Sequence, residues 1–505
     1  MALVNSIASW VLKKRLHQID LFRKYPHEVQ NECFSKLISA AKDTEFGKKY
    51  KFSKIKNVND FRKSVPIHDY EDIKDYILRI KHGEQNLLWP SEIKWFAKSS
   101  GTTNDKSKFI PVSKESLEEC HYKGGKDLLS IYLNANPESE LFTGKGLVIG
   151  GSSEVNQFSK NSYYGDLSSI IIKNLPYWAE YIRTPSIEIA LLPDWEEKLE
   201  KIALAGSKED VTSIAGVPSW NLTVINRILE ITGAKNMLEV WPNFELYAHG
   251  GVNFTPYREK FKELFPSDKV AYLETYNASE GFIGLQDRFD GNNDVLLMLD
   301  YGIFYEFLPL EELHAKKSKT VLLDEVEIGK EYAIIISTNA GLWRYLLGDT
   351  VQFTTLKPYR IKISGRTKYF INAFGEEVMA ENAEHALKHA CENTGARIYE
   401  YTAGPYFTKL GGGHQWIIEF EKEPKDLSFF ADVLDTSLKS VNSDYEAKRY
   451  KNLNMQAPIV HSANKNTFYK WLKSKGKLGG QNKVPRLSND RKILNEILST
   501  IPKVK

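Results

Sequence analysis

The chain has 505 residues, of which 42% are hydrophobic and 26% charged, and its formal net charge is +3. That length is more than one hydrophobic core serves, so two or more domains are expected. The composition is that of an ordinary water-soluble protein, and the near-balanced charge argues against nucleic-acid or membrane binding by the chain as a whole. Three widely separated cysteines, Cys33, Cys120 and Cys391, make neither a disulfide framework nor a metal set and fit a reducing cytoplasm.

The first residues, "MALVNSIASWVLKKRLHQIDLFRKYP", carry Leu3, Ile7, Trp10 and Val11 as an apolar stripe with basic residues behind it. A signal peptide starts basic and continues as an unbroken apolar run, so this stretch reads as an amphipathic helix. No apolar run approaches the ~18 residues that span a bilayer. Residues 1–90 read as mainly helical.

The next stretch, "FAKSSGTTNDKSKFIPVS" from Phe96 to Ser113, sets Ser99, Ser100, Gly101, Thr102 and Thr103 in a row ahead of Lys106 and Lys108. Glycine lets a turn approach an anion closely, and the neighbouring hydroxyls and backbone N–H groups donate to it together. The lysines add charge for a polyphosphate. The pattern is not a Walker A loop, and a run of small hydroxyls also serves as a plain flexible linker.

From about residue 140 to 365, the runs "GKGLVIGG", "SIIIKNL", "NFELYAHGG", "VAYLETYNASEG", "YAIIIST" and "VQFTTL" read as strands. They alternate with helical stretches such as 217–232, which predicts an α/β fold with parallel or mixed sheets. Within "YLETYNASEGFIG" (272–284), Tyr276, Ser279, Glu280 and Gly281 follow an apolar strand. A carboxylate there suits Mg²⁺ beside phosphates and a tyrosine suits base stacking, while a solvated Glu after a strand is equally ordinary. In "GLWRYLLGDTVQF" (341–353), Asp349 can accept from ribose hydroxyls or simply belong to a Gly-Asp turn. "ISGRTKYFINAFGEEV" (363–378), with Gly365, Arg366, Lys368 and Gly375, marks a domain junction.

Beyond it lies a smaller α/β unit. "ARIYEYTAGPYF" and "HQWIIEFEKE" read as strands, and "EVMAENAEHALKHACENTG" as a helix closed by Gly395. The final 42 residues hold 11 Lys or Arg against 2 acidic residues and leave the rest of the chain net acidic. Such a run is by default a solvated face, and the alternative is a surface that meets phosphate.

These motifs, in this order, resemble the core motifs of the adenylate-forming superfamily of acyl and aryl ligases, luciferases and adenylation domains. Ser99 to Thr103 match its [ST]-[ST]-G-T-T-G-x-P-K loop, with Asn104 in place of a glycine and Lys108 as the counterpart of the closing lysine. Tyr276 to Glu280 resemble its Tyr-Gly-x-Thr-Glu, with Asn277 and Ser279 as departures. The closer resemblance is to the auxin-responsive (Gretchen Hagen) acyl-acid amido synthetases, carried by "RYLLGD" (344–349), "NASEG" and "GQNKVPR" (480–486) over about residues 95 to 490.

The resemblance implies a large domain (1–363) holding nucleotide and acid, and a small mobile domain (364–505) carrying a catalytic lysine. It implies an ATP-dependent ligase, with Mg²⁺, that adenylates a small carboxylic acid and passes the acyl group to an amino acid. Ser99, Ser100, Gly101, Thr102, Thr103 and Lys108 would hold the phosphates. Tyr276, Ser279, Asp349, Arg366 and Lys368 would complete the ATP site, and Glu280 would ligate Mg²⁺. Lys483 matches the amido synthetase pattern. Lys492 is its rival from the wider superfamily, weakened because Arg491 stands where a glycine is usual. "YAHGGVNFTPY" (247–257) places His249, Gly250, Gly251 and Val252 beside the acyl pocket, with Pro218–Trp220 as another wall. His121, His249 and His414 are each a possible base, although a lone histidine is commonly structural.

Two other readings stand beside this one. An acyl or aryl coenzyme A ligase would make a thioester, and a nucleotide-binding member could be catalytically silent. The closer fit of "RYLLGD" and "GQNKVPR" speaks against the first, and the joint presence of Glu280 and Lys483 against the second. A resemblance of this kind carries the chemistry and leaves the substrate open.

Overall fold

The computed structural model describes residues 12, 14–99, 108–150, 156–159, 161–251, 254, 257–313, 315, 318–367, 370, 371, 373, 376, 378–408, 411–442, 445, 446, 449, 455–478, 483–488 and 491–499. The helix expected from the first residues therefore lies mostly outside them, and its described continuation is the helix Leu16–Lys24. Helices Pro26–Ala41, Val58–Ser64 and Tyr70–Lys81 follow, each with a local reason to begin where it does. Pro26 occupies the first turn, where a missing N–H costs nothing. Asn57 accepts from the Asp60 N–H, and Asp69 and Asp72 form a capping box. The buried Ile73, Ile77 and Ile80 give the last of these helices its apolar stripe. Buried Gln30 docks the first of them onto the sheet, donating to the Leu299 and Ile303 carbonyls and accepting from the Tyr305 N–H, each at 2.9 Å.

Among the described residues the main sheet has eleven strands. Its order is Ile303–Pro309, Glu331–Thr338, Tyr345–Leu356, Tyr359–Arg366, Val295–Leu297, Gly281–Leu285, Ala271–Ala278, Leu246–Gly250, Val211–Gly216, Lys145–Val148, Arg183–Thr184. The first seven pair antiparallel and the last five, counted from Ala271–Ala278, pair parallel. Strand Ala271–Ala278 thus belongs to both halves. The helix Pro218–Thr232 makes the crossover from Val211–Gly216 to Leu246–Gly250, as the sequence predicts.

"SIIIKNL" is not a strand. Residues Leu167–Lys173 form a helix burying Leu167, Ser169, Ile170 and Ile172. A short unbroken apolar run does not tell a buried strand from a buried helical turn, and here tertiary packing decides. A second sheet is ordered Lys108–Val112, Trp95–Ser99, Ser162–Gly165, Asn156–Ser159, and its first two strands contain Lys108 and Ser99.

In the C-terminal part, the hairpin Arg397–Thr408 and Gly411–Lys422 pairs with the parallel strand Ile459–Ala463. Helices Ala380–Thr394 and Leu427–Val441 pack on it over a separate core that includes Trp416, Phe430 and Leu434. Gly395, at φ 67°, closes the first helix as expected. Strand Tyr359–Arg366 keeps its pairing in the large sheet to Arg366, so the 363/364 division falls inside that strand.

Candidate active site

The parallel strands end together, and crevices outside such carboxyl ends are where open α/β sheets bind ligands. Gly216, Gly250 and Ala278 are the last residues of three adjacent strands. At the Gly250–Gly251 turn each glycine has its own reason. A Cβ on Gly250 would lie 2.4 Å from the Thr275 carbonyl oxygen, so only a bare backbone lets the strands approach. Gly251 has φ +80°, a left-handed conformation that side chains resist.

Lys483 reaches this turn. Its ammonium donates to the Gly251 carbonyl, and a Cβ on Gly251 would sit 3.1 Å from Nζ and 3.3 Å from Val217 Cγ2. Residues 484–488 hold it there by a single β-bridge, Leu487 to Ala403, beside strand Arg397–Thr408. Thr402 donates through its hydroxyl to the Pro485 carbonyl at 2.6 Å, the Ala403 N–H donates to the Arg486 carbonyl at 2.8 Å, and the Ser488 N–H donates back to Ala403 at 3.0 Å. Val484 and Leu487 are buried anchors. Ion pairs tie the C-terminal part to helices behind the crevice: Lys260 with Glu421 at 2.7 Å, Glu263 with Arg397 at 2.5 Å, and Glu196 with Lys473. The rival Lys492 is exposed at the first residue of helix Lys492–Leu498. Its neighbour Arg491 donates to the Pro405 carbonyl and to Gln415 Oε1, both at 2.7 Å, within the C-terminal part.

One strand over, the buried Tyr276 hydroxyl donates to Asp349 Oδ2 at 2.7 Å. The bond joins residues 73 apart and unites the two motifs expected at the nucleoside. Ser279 and Glu280 form the two-residue turn between Ala271–Ala278 and Gly281–Leu285, with Gly281 paired to Ala278; Ser279 is buried there. Asp349 pairs in register with Arg366.

The described ends of the hydroxyl-rich stretch lie on paired antiparallel strands. Ser99 ends strand Trp95–Ser99 and is the register partner of Lys108, which opens Lys108–Val112. Lys108 Nζ lies 5.8 Å from the centre of the Tyr70 ring. Ser100, Gly101, Thr102 and Thr103, together with Val252 and Lys368, lie outside the described residues.

The histidines divide. His249 is buried, stacks on Phe254 with ring centres 3.9 Å apart, and is pushed down to about 3 by burial and then by Arg258. A group so hard to protonate is a core residue rather than a base. His414 lies within the C-terminal core, its Nε2 2.8 Å from buried Glu376. His121 ends a π-helical turn, Leu117–His121, with Nδ1 3.1 Å from Asn277 Oδ1. Trp220 is buried in the first turn of the crossover helix.

Sequence reasoning passed over Tyr345, inside the quoted "RYLLGD". Its phenol is fully buried with no hydrogen-bond partner among the described residues. Burial raises its pKa first, and Glu280, Tyr70 and Asp69 raise it further, which places the hydroxyl in the field of the Glu280 carboxylate. The available signal was its place four residues before Asp349 in the same strand. Arg344, before it, is held at φ 43°. Its guanidinium binds buried Glu306 at 2.9 and 3.0 Å and the Val65 carbonyl at 2.7 Å, which is a scaffold role.

Known proteins resemble the chain along nearly its whole length. The N-terminal domain of the GH3 family matches residues 15–270, its central domain residues 296–366 and its C-terminal domain residues 381–492. The indole-3-acetic acid-amido synthetase GH3.3 of Arabidopsis thaliana is 23% identical, over 94% of this chain and 91% of its own. The solved GH3.15 acyl acid amido synthetase superposes with a TM-score of 0.81 at 16% identity, over 97% of both chains. A 2-hydroxyisobutyryl-CoA ligase in its postadenylation state does so at 0.57 and 12% identity, over 97% of this chain and 91% of its own. With three consecutive domains matched in order along nearly its whole length, the chain belongs to the GH3 family, within the adenylate-forming fold.

Proposed function

We infer that this protein is an ATP-dependent acyl-acid amido synthetase. The observation that carries the reading is the position of Lys483, delivered by the C-terminal part to the Gly251 carbonyl at the mouth of the parallel strands. An oxygen of the carboxylic acid attacks the α-phosphorus of ATP, and the bond to the β-phosphate breaks to release pyrophosphate. An amino acid's amine then attacks the acyl carbon, the bond to AMP breaks, and the amine gives up a proton to solvent. The adenylate is a mixed anhydride with a good leaving group, so no covalent enzyme intermediate is required.

Both partners of the first step are anions, so positioning and charge neutralisation supply most of the catalysis. Residues 99–103 and Lys108 would cradle the leaving phosphates. Asp349, oriented by Tyr276, would accept from the ribose hydroxyls, with Tyr276 against the base and Ser279, Arg366 and Lys368 nearby. Lys483 would neutralise charge at the α-phosphorus. Its contact with the turn favours it over Lys492. Gly250, Gly251 and Val252 would border the acid.

Among the described residues there is no group of three or more His, Cys, Asp and Glu suited to a metal. A lone carboxylate fits Mg²⁺, which usually keeps several waters and binds through one or two carboxylates plus substrate phosphates. Glu280, part-buried on its turn, would hold an ion arriving with the nucleotide, and that ion would offset phosphate charge. We place the mobile unit after Arg366. The described helices include none long and apolar enough to cross a membrane, and the three cysteines are all unpaired; a cytoplasmic setting accords with both.

Product analysis by mass spectrometry tests the reading. The protein would be mixed with ATP, Mg²⁺, a panel of aryl and aliphatic acids, and either amino acids or coenzyme A. AMP, pyrophosphate and an acyl-amino acid are expected. A thioester would replace the conclusion with the coenzyme A ligase, and nucleotide binding without AMP from any mixture would leave a silent binder.

A further inference from the structure

His121 and Asn277 make a polar contact that the chemistry above does not use. Asn277 stands where the superfamily motif has glycine, so its side chain adds something at that position. The π-helical turn Leu117–His121 inserts an extra residue ahead of helix Tyr122–Ala135, and such turns often re-aim a side chain at a functional site. Here the turn brings buried His121 onto Asn277, with Nδ1 3.1 Å from the amide oxygen.

The register identifies the side of the sheet. Side chains alternate along a strand, so Asn277 and Thr275 share one face while Tyr276, bound to Asp349, takes the other. Gly250 pairs with Thr275 on the same face, where a Cβ would meet the Thr275 carbonyl and hydroxyl oxygens. Helix Tyr122–Ala135 covers that face, since a Cβ on Gly124 would lie 2.4 Å from the ring of Phe282, the register partner of Asn277. Gly250, Thr275, Asn277 and His121 therefore lie on one side of the sheet, beside the Lys483 turn and across the strand from the expected nucleoside.

The contact also fixes the chemistry. Asn277 presents its carbonyl oxygen, so Nδ1 carries the proton and Nε2 keeps a lone pair. Burial holds the imidazole down to about 4, so it stays neutral at physiological pH. A neutral acceptor has nothing to offer a carboxylate. It suits an O–H or N–H group.

We propose that His121, its tautomer set by Asn277, forms the polar wall of the acyl-acid pocket and accepts a hydrogen bond from a donor on the body of the acid. The substrate is then a carboxylic acid bearing a hydroxyl or N–H group, and His121 is a specificity residue. The proposal rests on the amido synthetase reading and on Gly250–Gly251 as the acyl turn.

The test is acid-dependent ATP–pyrophosphate exchange by the full-length protein, without amino acid. Hydroxybenzoates, hydroxycinnamates and aliphatic hydroxy acids would each be compared with the O-methyl ether and the unsubstituted parent. One hydrogen bond predicts a kcat/KM ratio of about ten in favour of the donor-bearing acid. The ratio should collapse toward one in His121→Leu, shrink in Asn277→Gly and partly return in His121→Gln. Because it is a ratio, it does not depend on how much of a variant folds. Exchange with a ratio near one in the unmodified protein, or a ratio unchanged in His121→Leu, would overturn the proposal and leave the enzyme reading standing. Absence of exchange with every acid would overturn that reading and this proposal with it.

Discussion

Replacing Gly251 with alanine should separate the cost of a strained turn from the loss of a catalytic contact. At φ +80° a side chain costs about 1–2 kcal/mol of stability. The new methyl would also sit 3.1 Å from Lys483 Nζ and 3.5 Å from its Cε. Lysine is flexible, so its end moves away, and the ammonium leaves the Gly251 carbonyl. If that ammonium stabilises the α-phosphorus, its displacement should lower ATP–pyrophosphate exchange by up to the ~10²–10³ of a lost preorganised contact. Lys483→Ala should show a similar rate loss with stability within about 0.5 kcal/mol, because Val484 and Leu487 still anchor the segment. The decisive measurement is the double variant. Two changes acting through one ammonium should lose no more exchange together than Lys483→Ala does alone. If the two losses multiply, Gly251 works by another route and the lysine's placement at the turn is not what it contributes.

Asp349→Asn should raise KM for ATP by about 10–100-fold, the range of a lost hydrogen bond to a charged group, with KM for the acid little changed in initial-rate kinetics. Tyr276→Phe should do the same more weakly, since Asp349 keeps its charge and loses only the 2.7 Å bond that orients it. Arg344→Met takes from buried Glu306 one of its two arginines, leaving Arg62 at 3.0 Å and the Thr320 hydroxyl at 2.6 Å, and should cost about 1–3 kcal/mol in denaturant unfolding; a loss below 1 kcal/mol would show the network to be incidental. His249 is held down to about 3 in the fold against an ordinary 6.5. Between those values the unfolded chain takes up a proton that the folded one does not, so stability falls as pH drops through that window, by about 1.4 kcal/mol per unit. His249→Phe, which keeps the stack on Phe254, should flatten the stability–pH profile between pH 6 and 4 by about one proton.

Motif positions were legible in the sequence because each is local: a strand running into Tyr276 and Glu280, a Gly-Asp step at Asp349, a helix stopped by Gly395. Their union was not. Tyr276 and Asp349 meet because strand Tyr345–Leu356 follows a course through the antiparallel half that no local pattern encodes, and Lys483 meets Gly251 across 232 residues of chain. "SIIIKNL" misled because three consecutive isoleucines satisfy either period, and its burial in the fold follows the helical one. Tyr345 went unmarked because a buried aromatic looks the same in sequence whether its hydroxyl is bonded or bare. His249 reads in the sequence as pocket lining; the structure shows it buried and stacked on Phe254, packing that a lone histidine in a Gly-Gly motif does not announce.

Strand Ala271–Ala278 borders both halves of the sheet, and consecutive residues on it, Tyr276 and Asn277, face opposite sides. Its length is therefore under a parity constraint. Inserting or deleting a single residue between Leu273 and Tyr276 would turn Asn277 toward Asp349 and Tyr276 toward His121, exchanging the two ligand sets in one step. A change of two residues would keep the faces and shift only the depth. Across related chains, then, loops are free to drift in length, whereas this strand should vary by even numbers or not at all.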